Sequence, residues 1–293
     1  MSRLIVNADD FGLTSGVNRA ILELHQAGVL TSATLMARAS ATAEAIEIAR
    51  STPTLGVGCH VVLVDGEPTL SATRDIPSLA DPTRNRFEAS LIPFLATIYR
   101  QSSVQKIAFQ IEKETSAQIA SLQRQGLRLT HIDTHKHTHM FPRVLTPILR
   151  AARAAGIRAV RNPFEPTWSL HATRSAPLMR RTEVKLLRLL ESRFKRIVTE
   201  QGLSTSDGAL GVLATGTLDQ ATITSLLKKI PEGDWELVTH PGYNDADLAK
   251  AGTRLMASRN TERQALEALR NFPSVGLISF ADLQAPSPVA SGA

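Results

Sequence analysis

Short apolar runs of strand length alternate with amphipathic stretches of helix length along most of the chain, and few folds satisfy that alternation. A strand-type run at 4–8 precedes a helix-type segment at 16–27, and one at 31–36 precedes an alanine-rich helix at 41–50. Further strand-type runs fall at 55–63, 129–134, 159–161, 211–214, 236–239 and 277–280. Strands separated by helices pair in parallel, because a parallel crossover needs a dozen or more residues. The repetition predicts an α/β chain folded as an irregular (β/α) TIM-like barrel in a single domain. A doubly wound open sheet is the alternative, which periodicity cannot separate from it. With 293 residues, 43% of them hydrophobic, the chain can bury a large core. The barrel is expected to span 1–283, and 284–293 to be a disordered tail.

Two segments interrupt the pattern. Residues 65–87 are polar, carry Pro68, Pro77 and Pro82, and read as a long loop or lid. Residues 163–202 read as a basic amphipathic helical insertion. Within 174–196, Arg180, Arg181, Lys185, Arg188, Arg193, Lys195 and Arg196 interleave with Leu178, Met179, Val184, Leu186, Leu187, Leu189, Leu190 and Phe194. Such a helix either packs on the barrel with a solvated basic face or lies against an anionic membrane. The formal charge of +6 favours anionic partners in general. With only 4% aromatic residues there are few stacking platforms, so nucleic acid is not an expected partner. The single cysteine, Cys59, excludes an intrachain disulfide. No apolar run approaches the ~18 residues of a membrane span, and no secretory-type apolar region follows Met1. The expected location is therefore cytoplasmic, at most peripheral at the inner face of a membrane.

Chemistry concentrates at the ends of the strand-type runs. In His131-Ile132-Asp133-Thr134-His135-Lys136-His137-Thr138-His139, four of the chain's eight histidines fall at alternate positions. On a strand they share one face with Asp133 for as long as the strand lasts. Packing gives no reason to line a face this way, since buried polar groups cost free energy unless paired. A metal or substrate site does, although a catalytic centre takes only about three protein ligands. Asp9 and Asp10 close the first run, before Phe11-Gly12. Adjacent carboxylates repel, and a nearby cation keeps both ionised, although Asp is also common in turns and helix caps. His60 sits late in the third run, where a lone histidine is more often structural than catalytic, and His240 follows the run at 236–239, where it reads equally as a general acid or a turn residue. In a parallel barrel all four pieces meet at one rim, the C-terminal end of the strands.

These residues carry a resemblance. N-A-D-D-F-G near the start, G-x-H at His60, T-H-I-D-T-H-K-H-T-H-M-F-P and H-P-G-Y near the end are similar to motifs of the YdjC-like carbohydrate deacetylases, the family that includes the chitooligosaccharide deacetylases. The resemblance implies an irregular barrel acting on N-acetylated sugars with one divalent metal ion, Zn or Mg. It implies Asp10, His60 and His135 as metal ligands and Asp9 as catalytic base. Lys136 departs from the pattern, which often has another His there. Segments 205–217 and 235–245 look like the hopanoid-biosynthesis-associated deacetylases, implying an N-acetylglucosaminyl hopanoid lipid as substrate. His240 is then the expected acid for the departing amine, and Asp133 the residue orienting a ligand imidazole. His137 and His139 are expected to contact substrate. Arg161 is expected either to position an anionic group or to form a structural ion pair. The competing readings are another metal hydrolase, such as a phosphoesterase or amidohydrolase, and a non-catalytic sugar- or lipid-binding protein. A base beside the metal argues against the last.

Overall fold

The computed structural model describes residues 2–69, 73–81, 83–173, 176–271 and 275–283. The strands are β1 (Ser2–Phe11), β2 (Ser32–Leu35), β3 (Gly56–Val61), β4 (Ala80–Asp81), β5 (Arg86–Phe87), β6 (His131–Thr134), β7 (Ala159–Val160), β8 (Gly208–Leu210), β9 (Gly233–Thr239) and β10 (Gly276–Ile278). The helices are α1 (Ser15–Gln26), α2 (Thr42–Ser51), α3 (Leu91–Arg100), α4 (Val104–Gln123), α5 (Pro142–Ala154), α6 (Thr167–Ala172), α7 (Leu178–Leu187), α8 (Glu191–Glu200), α9 (Gln220–Leu227), α10 (Ala246–Lys250) and α11 (Met256–Glu267).

Eight strands form one sheet in the order β7-β6-β3-β2-β1-β9-β8, with β10 beside the first half of β1. Every pairing in this sheet is parallel. The two ends of the path meet. The Val160 N–H donates to Ser204 O at 2.9 Å and the Ser204 N–H to Arg158 O at 2.8 Å, just before β8. The sheet thereby curls on itself into an irregular α/β barrel, the expected architecture, rather than the doubly wound open sheet that the alternation also allowed.

Alternation along β1 separates two environments. Leu4, Val6 and Ala8 join the main apolar core beneath the helices. Ile5 instead packs with Ala159 and Phe280 in the barrel's interior, and Asn7 and Asp9 continue that inner face toward the C-terminal end. Above the apolar plug the interior is polar, with Thr34, His60, His131, Asp133, Arg161 and Glu236 all buried. The His131 ring stacks on Phe280 with centroids 3.8 Å apart. Its other neighbour is Gly58, where an added Cβ would lie 2.6 Å from the ring, so only glycine leaves the imidazole room.

Three expectations need correcting. The apolar run 211–214 is not a strand. β8 stops at Leu210, Gly211 adopts φ +88° and turns the chain, and Val212, Leu213 and Ala214 are buried as a loop. Burial rather than sheet pairing explains their apolarity. Segment 65–87 contains structure of its own, the antiparallel β4–β5 hairpin, anchored by buried Ile76, Leu79 and Phe87. The helix expected over 174–196 is two, α7 and α8, joined by a 3-10 turn at Arg188–Leu190. α8 buries Phe194, Ile197 and Val198, whereas α7 buries Val184 alone. The expected tail at 284–293 lies outside the described residues. No helix among the described residues is long and apolar enough to cross a membrane.

Candidate metal centre and its surroundings

Two neighbouring residues on a strand ordinarily face opposite sides, yet Asp9 and Asp10 are both buried at the rim. The register of β1 against β2 shifts between Ala8 and Phe11, and Asp10 has φ +64°. This bulge turns the second carboxylate inward beside the first. A left-handed residue costs about 1–2 kcal/mol, and Asp tolerates it better than most. Gly12 continues the turn at φ +94°, its N–H donating to Asn18 Oδ1 at 2.8 Å on α1.

Asp10, His60 and His135 converge. Asp10 Oδ1 lies 3.5 Å from His60 Nε2 and 3.6 Å from His135 Nδ1. The two ring nitrogens are 3.4 Å apart. Donors bound about 2.1 Å from one tetrahedral centre are about 3.4 Å from each other, so this set fits a divalent cation. The remaining valences are also arranged for it. Asp10 Oδ2 accepts from Arg259 Nη2 at 2.5 Å, leaving Oδ1 for the centre. His60 Nδ1 lies 2.8 Å from Asp133 Oδ1, which fixes the tautomer that presents Nε2. His135 opens a 3-10 segment (His135–Met140), and its side chain is about a quarter exposed, on the mouth side.

Behind the triad lies a buried cluster centred on Arg161. Its guanidinium contacts Asp9 Oδ1 at 2.6 Å, Asp133 Oδ2 at 2.5 Å and Glu236 Oε1 at 2.7 Å. Burial alone would push the Asp9 carboxyl up, but Arg161, His60 and His240 hold it well below the usual carboxylate range. Asp10 is likewise held low against burial by Arg259, His135 and His60. Glu236 moves the other way: burial outweighs Arg161 and raises it to about 7. Its Oε2 has no hydrogen-bond partner among the described residues. Thr34 Oγ1 sits between Asp9, Asp133 and His60, at 3.3 Å from each.

His240, after β9, places Nε2 at 3.8 Å from Asp9 Oδ2 and Nδ1 at 3.8 Å from Glu262 Oε2. Burial disfavours its charged ring, but Glu262, Asp9 and Asp10 raise its pKa nonetheless. Two other histidines do not follow the shared-face expectation. The strand ends at Thr134, and Lys136 and His137 both have positive φ, which breaks the alternation. His139 is fully buried, with Nδ1 at 2.7 Å from Thr134 Oγ1 and Nε2 at 3.3 Å from Arg161 O, so it is a core residue with no face for substrate. His137 is half-buried and its Nδ1 has no hydrogen-bond partner among the described residues. Arg161 is fully enclosed by carboxylates, so of its two expected roles the geometry leaves the ion pair.

Arg259 and Glu262 on α11 escaped the sequence reading. A cation and an acid on a surface-type helix give no signal until the fold brings them under the rim. Arg259 has a testable role. Arg259→Gln should weaken divalent-metal affinity about 10–100-fold by freeing Asp10 to rotate. Unchanged affinity by metal-buffer titration would remove Arg259 from the centre.

Together these features define an α/β-barrel protein in which Asp10, His60 and His135, at the C-terminal rim of the strands, could hold a metal ion. The chain belongs to the YdjC-like protein family, whose model matches residues 3–270. It is similar to a carbohydrate deacetylase of Brevibacillus brevis, 32% identical over 290 residues covering 96% of this chain and 99% of the other. A carbohydrate deacetylase of Geobacillus stearothermophilus is 41% identical over 250 residues, covering 85% and 83%. A chitooligosaccharide deacetylase of Salmonella schwarzengrund is 35% identical over 157 residues, covering 53% and 57%. Among solved structures, an Enterococcus faecalis V583 protein named for cellobiose-phosphate cleavage superposes with a TM-score of 0.73 at 28% identity, covering 95% and 97%.

Proposed function

We propose that this protein is a metal-dependent N-deacetylase of an N-acetylglucosamine-type sugar. The observation that carries the reading is the mutual 3.4–3.6 Å spacing of Asp10 Oδ1, His60 Nε2 and His135 Nδ1 in a member of this family. Two imidazoles and one carboxylate favour Zn²⁺ over Mg²⁺, which prefers oxygen donors. An ion held by Asp10, His60 and His135 would supply Lewis-acid chemistry, making a water more acidic and polarising the amide. Asp9 accepts the proton as general base, staying ionised through neutral pH because Arg161 clamps it. His240 Nε2, kept readily protonated by Glu262, delivers a proton to the departing amine. Asp133 holds the His60 ring in place. The likeness of 205–217 and 235–245 to the hopanoid-associated subgroup supports a lipid-linked substrate, an N-acetylglucosaminyl hopanoid, with chitooligosaccharides as the second reading. A site at the inner face of the cytoplasmic membrane fits the first.

The test is metal analysis of the purified protein followed by acetate release from N-acetylglucosamine oligomers and from a lipid-linked conjugate, with and without chelator. Chelator-sensitive release supports the reading, and full activity after complete metal removal rejects it. The centre also has a pH signature. Burial lowers the His60 pKa, but Asp133, Asp9 and Asp10 outweigh it and, in the metal-free chain, raise it to about 9. An incoming cation must expel that proton. Affinity should therefore climb as pH rises, about tenfold per unit between about pH 6 and 8, and level off above the His60 pKa. Metal-buffer titrations check this, and a flat profile contradicts it.

A further inference from the structure

We infer that α7, its 3-10 turn and α8 form a docking surface for an anionic lipid bilayer. Leu178, Met179, Leu186 and Leu189 are 80%, 85%, 65% and 77% exposed. At 100° per residue Leu178, Met179 and Leu186 fall on one side of α7, opposite Val184, which packs with Leu170, Ala176 and Leu213, and Leu189 follows in the 3-10 turn. A soluble surface rarely gathers four large apolar side chains on one short segment. Lys185 on α7 and Arg193 on α8 are both exposed, and neither has a carboxylate within 4 Å among the described residues. Residues 178–200 carry seven Lys or Arg against three Glu. Arg193 also lines a groove on α4 and α5 with Phe109, itself 62% exposed, with Arg143, and with Arg150, which is ion-paired to Glu112 in the same groove.

Charge selects the occupant. A second copy would bring the same excess of cations against this one, across a self-complementary contact. An anionic bilayer supplies both the opposite charge and an apolar layer for the leucines. The surface also lies at the functional end of the barrel. The insertion leaves the C-terminal end of β7, and Arg180 Nη2 donates to Val212 O at 3.3 Å, tying α7 to the loop after β8. Docking therefore brings the rim that carries Asp10 and His135 close to the lipid headgroups.

The inference is read without turnover, so it stands or falls separately from the deacetylase reading. Full-length protein is floated at low salt with vesicles of equimolar phosphatidylglycerol and phosphatidylcholine, and with phosphatidylcholine alone. Partitioning to the anionic vesicles should be stronger by about tenfold or more and should fall at high salt. It should be lost when Leu178, Met179, Leu186 and Leu189 are all replaced by Ser, and cut by about tenfold or more in Lys185→Glu/Arg193→Glu. Both variants should keep the wild-type melting temperature and their acetate release from a soluble N-acetylated sugar. No flotation with anionic vesicles, or equal flotation of the four-serine variant, overturns the proposal. So does a concentration-dependent dimer that the four-serine variant abolishes, because the face would then be closed by a second copy.

Discussion

Arg161→Met should destabilise the protein by about 3–5 kcal/mol, the cost of breaking a buried ion pair from one side. Against a typical total of about 5–15 kcal/mol, that is a large share of the fold's stability. In melting temperature it corresponds to a fall of about 6–20 °C for a chain of this size. The cause is local. Arg161 is fully buried and touches Asp9, Asp133 and Glu236. Without it three carboxylates crowd the barrel's interior, with the His60 and His240 rings as the nearest cations. The three are not equivalent. Glu236 is raised from 4.5 to about 7, so its contribution to stability is fully present below its unfolded pKa and is lost as pH climbs through about 7. Gln has no proton to lose. Glu236→Gln should therefore gain on the wild type as pH rises from about 5 to 8, and in the Arg161→Met background it should recover part of the lost stability. Thermal unfolding across pH measures both. A wild-type melting temperature for Arg161→Met would show that the cluster contributes nothing to folding.

The rim was legible in the sequence because two independent patterns coincide there. Strand-type runs locate the sheet, and parallel topology brings their C-terminal ends together. Asp10, His60, Asp133, His135 and His240 could therefore be grouped before any contact was known. The parallel α/β class followed from the same alternation, whereas barrel against open sheet was decided only by the pairing of 158–160 with Ser204, which closes the sheet. What escaped depended on information the one-dimensional pattern does not hold. Alternation placed His137 and His139 with His135 only if the strand continued, and positive φ at Lys136 and His137 ends it. The 211–214 run looked like a strand because burial and sheet pairing leave the same apolar composition, and a single left-handed glycine separates them. Arg259 meets Asp10 across 249 positions of chain, from a helix that also carries buried Glu262 beside His240. Glu236 had left a faint trace, a carboxylate between Trp235 and Leu237 in a run otherwise fit for the core.

Asp9→Asn and His135→Ala should separate base from ligand. Asp9 hydrogen-bonds to Arg161, Asn7 and Thr34 and, among the described residues, to none of Asp10, His60 and His135, while its Oδ2 lies 3.8 Å from His240 Nε2 at the rim. The amide is nearly isosteric and keeps one acceptor for the guanidinium, so metal affinity should stay close to wild type. Acetate release should nonetheless fall by about 10²–10⁴-fold, the range for removing a general base. The loss should appear in kcat rather than KM, since Asp9 is enclosed beneath the rim and offers little contact to a bound sugar. His135→Ala removes one of three corners and should lose metal and turnover together. Asp133→Asn provides the contrast. It weakens the hydrogen bond at 2.8 Å that holds the His60 ring, so its first effect should be metal affinity, lower by about 10–100-fold, with turnover largely recovered at saturating metal. If Asp9→Asn turned over at the wild-type rate with metal bound, the proton would have to go elsewhere. His240, 3.8 Å from Asp9 and already proposed to handle the departing amine, would then have to serve as both base and acid.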